Sequence, residues 1–526
     1  MKKLSLFILG LIIALSGLSQ NGFKTFIPTE DGAFREGKHV VETNDYGFII
    51  SLEAQDMYKN DILVSVSSEG EVTDQLFYQI DGKNLKYCGL FRHPAYEEEY
   101  LAVATLDEGN TSNDYIQKEL VFIRFDSNLN IISQTVHDFG DDYIVLATGS
   151  LKVPLLILDD DGTVTMVTRC KKTDGYCSVF AKFTNDGGLL QQIESDMSSS
   201  QLPMLFDLFS KRMSDGSFGM IMDEGETGAC YYKADTAFNL TRIGRLMNLP
   251  IKVVENQQYN LLDTTYSYYF PKGTIEYLND SVSLLTSGGL YIKHIDPEIG
   301  WCNFIAKIND SLSVLDNDIW DIKKKDANYT TTALSARDKA ISVSDEAIFH
   351  CGVVGIRDHG HHNTGYSVQA STITLSKFDK EMNLQWRRYY GGDDNFYDVD
   401  VIKATEDGGC IMTGVYNEDV NVYDLLSYIL KVDENGYDAI GENAESLAKP
   451  YFCYPNPAKD NIYIEFSPDV NCQSVEIYTL DGHMVETCHC TSLQTTINVE
   501  DLNAGVYLMK LRMSDGKEFS ERIVKE

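Results

Sequence analysis

The stretch LSKFDKEMNLQWRRYYGGDDNFYDVDVIKATEDGGCIMTGVYNEDVNVYDLLSYILKVDENG, residues 375–436, decides the fold. A strand ending in Lys377-x-Asp379 runs into a polar turn, then a strand carrying Trp386, then Gly391-Gly392. An alternating strand follows, then the turn Asp407-Gly408-Gly409 and another strand, and Lys431-Val432-Asp433 begins the theme again. Such turns supply the positive φ that a tight hairpin requires. The alternation between them predicts strands with one buried face.

The strand and its polar turn recur as ILVSVSSEG (62–70), VFIRFDSNLN (121–130), VFAKFTNDGG (179–188), CYYKADTAFN (230–239) and FIAKINDSLS (304–313). With the two copies in the opening stretch this makes seven units, spaced about 50 to 75 residues apart. A turn-then-strand partner recurs as NDYGFIIS (44–51), DDGTVTMV (160–167), SDGSFGMI (214–221) and EDGGCIMT (406–413). Four strands make one blade, and a blade cannot bury its faces alone, so neighbours must stack around an axis. The expectation is an all-β chain whose residues 20–444 form a β-propeller-like repeat domain of about seven blades, with six or eight also compatible. A sandwich array or solenoid is the alternative. The region resembles the divergent propeller-like repeats of proteins secreted by Bacteroidetes, and only residues 386–414 carry that pattern well.

Bulk composition agrees. The chain has 526 residues, 43% hydrophobic, with 31 Tyr and 24 Phe, and such aromatic usage favours strands. Formal net charge is −35, which repels a phosphate backbone and argues against nucleic acid as a partner. MKKLSLFILGLIIALSGLSQ at the start reads as a secretory signal, residues 1–19, cut before Gln20. Of 11 Cys, Cys170 and Cys177 flank a hairpin tip and could pair across it. No CxxC occurs, so a ribbon-type zinc site is not expected.

From Tyr454 the character changes. Pro455-Asn456-Pro457 cannot continue helix or central strand, and NIYIEF, SVEIYTL, TTINVEDL, VYLMKLRM and KEFSERIVK alternate as strands of a small Ig-like β-sandwich, residues 454–526, behind a linker at 445–453. The features Pro455, Asn456, Pro457, then Tyr478 leading to Gly482, then Leu502-x-x-Gly505-x-Tyr507, and the end Val524-Lys525, together resemble the C-terminal sorting domain (type A) of the Bacteroidetes type IX secretion system. The resemblance implies recognition by the outer-membrane translocon after passage through the periplasm. It also implies cleavage, with a cut expected within 441–452, and then release or attachment to surface lipopolysaccharide. The expected location is extracellular or on the outer-membrane surface. Cys472, Cys488 and Cys490 fall outside that pattern.

Chemistry is sparse by contrast. No G-x-S-x-G, HExxH or P-loop appears. Asp358, His359, His361 and His362 in DHGHH are candidate metal ligands, set against an ordinary polar loop. Asp159-Asp160-Asp161-Gly162 and Gly391-Gly392-Asp393-Asp394 would suit Ca²⁺, set against simple Asx-turn chemistry. Thr184-x-Asp186-x-Gly188 and Thr405-x-Asp407-x-Gly409 are fragments of a sialidase Asp-box lacking its aromatic residue. TYSYYF (265–270) with Tyr259 and Tyr277 could stack on sugars or fill a blade core. No catalytic or cofactor-binding residue is assigned. A binding or adhesion module for an unknown glycan or protein is preferred; the alternative is a glycoside hydrolase or lyase on the propeller scaffold.

Overall fold

The computed structural model describes residues 22–27, 35–54, 59–107, 116–140, 144–146, 154–172, 175–195, 204–223, 229–246, 267–268, 274–286, 290–291, 301–320, 332–335, 339–356, 371–391, 395–417, 425–437, 451–454, 459, 461–466, 472–479, 483–489, 494–500, 502–503, 505–513 and 518–525. The expected signal peptide, residues 1–19, lies outside them. The chain divides into two compact units, Met1–Glu442 and Asn443–Glu526. Among the described residues all regular structure is strand.

The first unit is a seven-bladed β-propeller. Its described strands form seven antiparallel sheets. Their inner strands are Arg35–Glu42, Lys83–Arg92, Leu155–Leu158, Met204–Leu208, Thr274–Asn279, Ile341–Val343 and Phe396–Ala404, which define blades 1 to 7. Each inner strand packs on the next, and Phe396–Ala404 packs back on Arg35–Glu42, so the ring is closed. Between blades 6 and 7 the contact becomes a hydrogen-bonded parallel bridge, Lys339↔Val401, with Ile402 N–H donating to the Lys339 carbonyl at 3.1 Å.

The seam between first and last blades is made by the N-terminal strand. Phe23–Ile27 pairs antiparallel with Leu426–Val432, from Phe23↔Lys431 to Ile27↔Ser427, and becomes the outermost strand of blade 7. Phe23 and Ile27 are buried with Phe48 and Val66 of blade 1 and Ile429 of blade 7. Burying two such side chains contributes about 1.5–3 kcal/mol each.

All seven copies of the strand-and-turn theme occupy one place, the third strand of a blade and the turn after it. Ser67, Asp126, Thr184, Asp235, Asn309, Asp379 and Asp433 each accept backbone N–H groups of the turn that follows. Three residues later the chain always enters the left-handed region, at Gly70, Leu129, Gly187, Phe238, Leu312, Met382 and Gly436. This is a type I turn closed by a bulge, and the register shifts there, as between Arg124 and Phe125 or Lys377 and Phe378.

One expectation needs correction. The second and third strands of a blade are buried on both faces, because each blade is clasped between two others. Ile49 and Ile50 are adjacent and both fully buried, Ile49 in the core shared with blade 2 and Ile50 in the core shared with blade 7. Outer strands such as Val72–Phe77 keep an open face.

The second unit is a β-sandwich. One sheet has the order Tyr451–Tyr454, Asn461–Phe466, Gln494–Asn498; the other Met484–His489, Cys472–Thr479, Gly505–Met513, Glu518–Lys525. Ile462, Ile464, Val475, Ile477, Met509 and Leu511 fill the space between them. The expected linker 445–453 thus ends inside a strand. Tyr451–Tyr454 pairs with Asn461–Phe466 at the sheet edge.

Candidate functional site

In the sandwich, the residues that carried the sorting resemblance converge. Leu502 packs against the core. The buried Tyr507 donates its hydroxyl to the Asn503 carbonyl at 2.9 Å, a tyrosine corner that clamps the loop onto the strand it enters. The terminal strand lies beside this corner in register, Gly505↔Lys525, Val506↔Val524 and Tyr507↔Ile523. Motif halves separated by about 20 residues of sequence therefore form one local structure. Tyr478 is half-buried, and its hydroxyl donates to Glu476 Oε2 at 2.7 Å. Pro455, Asn456, Pro457 and Gly482 lie outside the described residues.

Residues 453–526 match the family described as secretion system C-terminal sorting domain. This unit is a type IX secretion sorting domain. It directs the chain to the cell surface or the extracellular space, and the secretion machinery is its partner. Among solved structures, the chain is similar to the polysaccharide lyase Uly1 (11% identity, TM-score 0.38, covering 76% of this chain and 90% of that one). It is similar also to an α-L-arabinanase of Penicillium chrysogenum complexed with arabinobiose (11% identity, TM-score 0.38, covering 69% and 99%). Comparison with curated proteins finds no match.

On the propeller, ionisable side chains gather on the inner strands and on the segments packed against them. Lys38 is buried between Glu53 at 2.7 Å and Glu36 at 3.4 Å, and Asp400 also acts on it. Asp61 is buried, paired with Lys86 at 3.1 Å, and accepts the Tyr87 and Ala54 N–H groups; burial raises its pKa to about 6 against these opposing contacts. Asp207 on blade 4 accepts the Ile275 N–H of blade 5 at 2.6 Å, and burial raises its carboxyl to about 7. Beside it, buried Glu276 pairs with Lys339 at 3.3 Å, so one polar string crosses blades 4, 5 and 6.

Cations from four blades share one part of this ring. Lys403 on the inner strand of blade 7 feels Lys339, Arg92 and Lys211; burial first and these charges next lower its amine to about 8, with Glu42 opposing. Arg92 is held by Glu406 at 2.6 Å and by the Glu42 carbonyl, and Lys339 by Glu276. Among the described residues neither Lys403 nor Lys211 has an ion-pair partner. Sequence reading passed over these cations, since they are scattered from residue 92 to residue 403 and no local pattern marks them.

The other sequence candidates are placed as follows. Asp358, His359, His361 and His362 lie outside the described residues, and among the described ones no group of His, Cys, Asp and Glu is placed to hold a metal. Asp159 is engaged by Arg212 Nε at 2.5 Å and Thr165 Oγ1 at 2.7 Å, and Asp161 by Lys182 at 2.9 Å. Both carboxylates have counter-cations: Asp159 serves the joint between blades 3 and 4, and Asp161 is held within blade 3. Gly391 is described, with Asp393 and Asp394 outside. Of the Asp-box fragments, Thr184-Asp186-Gly188 is the third-strand turn of blade 3, and Asp407 pairs with the fully buried Lys431 at 2.8 Å. Tyr277 stacks on Phe209 with centroids 6.0 Å apart, in the core between blades 4 and 5, whereas Tyr259, Tyr266 and Tyr269 lie outside the described residues. Cys170 and Cys177 stand directly opposite in the hairpin register, both buried. The backbone of Cys488 is in a strand, and Cys490 lies outside the described residues.

Proposed function

We propose that the propeller is a binding module which the sorting domain delivers to the outside of the cell, and that its ligand docks at the inner-strand ring. Anchoring to surface lipopolysaccharide after removal of the sorting domain belongs to the same proposal, as does an N-terminal export signal at residues 1–19. The reading rests chiefly on how the ring carboxylates are occupied. Glu36 and Glu53 hold Lys38, Asp61 holds Lys86, and Glu276 holds Lys339. Carboxylates committed in this way hold strands together and are not placed as a free acid and base.

Asp207 favours the second reading, an enzyme acting on a saccharide. Its carboxyl titrates near neutrality, the range that suits a general acid or base. The two readings separate in one experiment: the purified protein is incubated with a panel of neutral and acidic glycans, and both retention and product release are followed. Retention without product is expected. Product formation that Asp207→Asn abolishes would replace the binding reading by the enzymatic one.

A further inference from the structure

The chain is strongly acidic, with 79 Asp and Glu against 44 Lys and Arg, so a carboxylate is the easiest thing for it to place beside a cation. Yet among the described residues Lys403 is half-buried with no carboxylate in ion-pair contact, and Glu42 acts on it only from farther off. The inner strand Phe396–Ala404 holds it two residues beyond Val401, the bridge partner of Lys339, so the two lysines emerge from adjoining inner strands in the same stretch of the ring. Arg92 enters from blade 2 through Glu406, three residues after Lys403, and Lys211 adds its field from blade 4. A desolvated ammonium in the field of three other cations is unfavourable, and an anion among them relieves it. The site is open enough to receive one, since the Lys339 and Arg92 side chains are 35% and 38% exposed.

We propose that Arg92, Lys211, Lys339 and Lys403 form an anion subsite of the propeller, which binds a single carboxylate of a small ligand with Lys403 as its principal contact. The proposal rests on the binding reading above and names the chemistry of that ligand. The acidity of the whole molecule selects the charge: its field opposes a dianion about twice as strongly as a monoanion. Glu42, Glu276, Glu406 and Asp207 surround the cations, and further exclude phosphate-like groups. The carboxylate could be carried by a sugar acid or by an amino acid.

The test uses the full chain and two readouts. Reductive methylation with isotopic formaldehyde, read by mass spectrometry, reports the reactivity of Lys403 with and without galacturonate, N-acetylglutamine, acetate or inorganic phosphate. Calorimetric titration of the same compounds reports affinity. We expect one of the organic monoanions to slow Lys403 methylation at least fivefold, and phosphate to do so less. Lys403→Gln should weaken binding at least tenfold with no fall in the thermal midpoint. Lys403→Arg, which keeps the charge, should stay within threefold of wild type, and affinity should fall as NaCl rises. Galacturonate protecting where N-acetylglutamine does not identifies a sugar acid as the source; the reverse identifies an amino acid. Equal methylation under all conditions, or equal binding by Lys403→Gln, overturns the subsite. A glycan retained by wild type and by Lys403→Gln alike would remove the subsite while leaving the binding module intact; the absence of any retained ligand would remove both.

Discussion

At the residue scale, the seven third-strand turns show two ways of filling one hole. Where the left-handed residue has a side chain, that chain enters the core: Leu129, Phe238 and Met382 are all buried. Where it is glycine, a neighbour enters instead. A Cβ on Gly187 would stand 2.7 Å from the Phe122 ring, and one on Gly70 2.5 Å from Phe23. Gly187→Leu should therefore cost stability twice over, with about 1–2 kcal/mol from backbone strain and more from the clash. In combination with Phe122→Ala, much of the clash should vanish, giving a favourable coupling in a urea-denaturation double-mutant cycle. Additive effects would mean that the two do not share the hole.

Two buried titrating groups act in opposite directions on stability. His350 donates from Nε2 to the Thr286 hydroxyl at 3.0 Å, which itself donates to the Phe304 carbonyl; burial first and Arg387 second depress its pKa to about 3. With an unfolded value of about 6.5, its contribution is present above that pH and is lost as pH falls toward 3. The Asp207 carboxyl is raised to about 7, so its contribution is full below about 4 and is lost as pH rises toward 7. Thermal midpoints measured from pH 3.5 to 8 should show His350→Gln reducing the loss on acidification. Asp207→Asn should instead reduce the loss between pH 4 and 7. Parallel pH profiles for wild type and both variants would contradict these assignments.

At the element scale, the basic residue of the Lys-x-Asp theme acts as a clasp between blades. Arg124 reaches Asp186 at 3.3 Å, Lys233 reaches Asp310 at 2.7 Å, Lys307 the Lys380 carbonyl at 3.1 Å and Lys377 the Glu434 carbonyl at 3.0 Å. Each of these spans one blade's third strand and the next blade's third-strand turn, and Ser65 does the same to the Ser127 carbonyl at 3.1 Å. Blade 7 uses a different closure. Lys24 of the N-terminal strand donates to the Tyr397 hydroxyl at 2.5 Å and lies 4.7 Å from that ring and 5.3 Å from Tyr416. Removing residues 23–27 would expose the edge of Leu426–Val432 and empty the positions of Phe23 and Ile27. Such a protein should melt at least 5 °C lower and show concentration-dependent self-association by analytical ultracentrifugation, since an open sheet edge is a template for pairing. An unchanged, monomeric melt would show that the ring is closed without this strand.

At the scale of the whole molecule, the sorting domain makes a cellular prediction. Deleting residues 453–526 should leave the protein inside the envelope, with none on the surface or in the medium on fractionation. A surface-exposed truncated protein would contradict the assignment.

Much of this was legible in the sequence because it is local. Each third-strand turn needs an Asx or hydroxyl side chain and a left-handed residue three positions on, and both requirements are met within ten consecutive residues, so seven copies pointed to about seven blades, with six or eight left open. The sorting domain was legible for the same reason: Leu502 to Tyr507 make one corner out of adjacent residues. The one-faced strands read from alternation were incomplete, because burial on the second face comes from a neighbouring blade that no window of sequence contains. Ring closure by Phe23–Ile27, the pairing of Lys339 with Val401, and the meeting of Arg92, Lys211, Lys339 and Lys403 join residues tens to hundreds of positions apart. Hydrogen-bonded turns are set by the chain's own neighbours along the sequence, whereas ring closure and charge density depend on distance in space, so the repeated turns belonged to the sequence, and the count of seven blades and the cluster of cations to the tertiary structure.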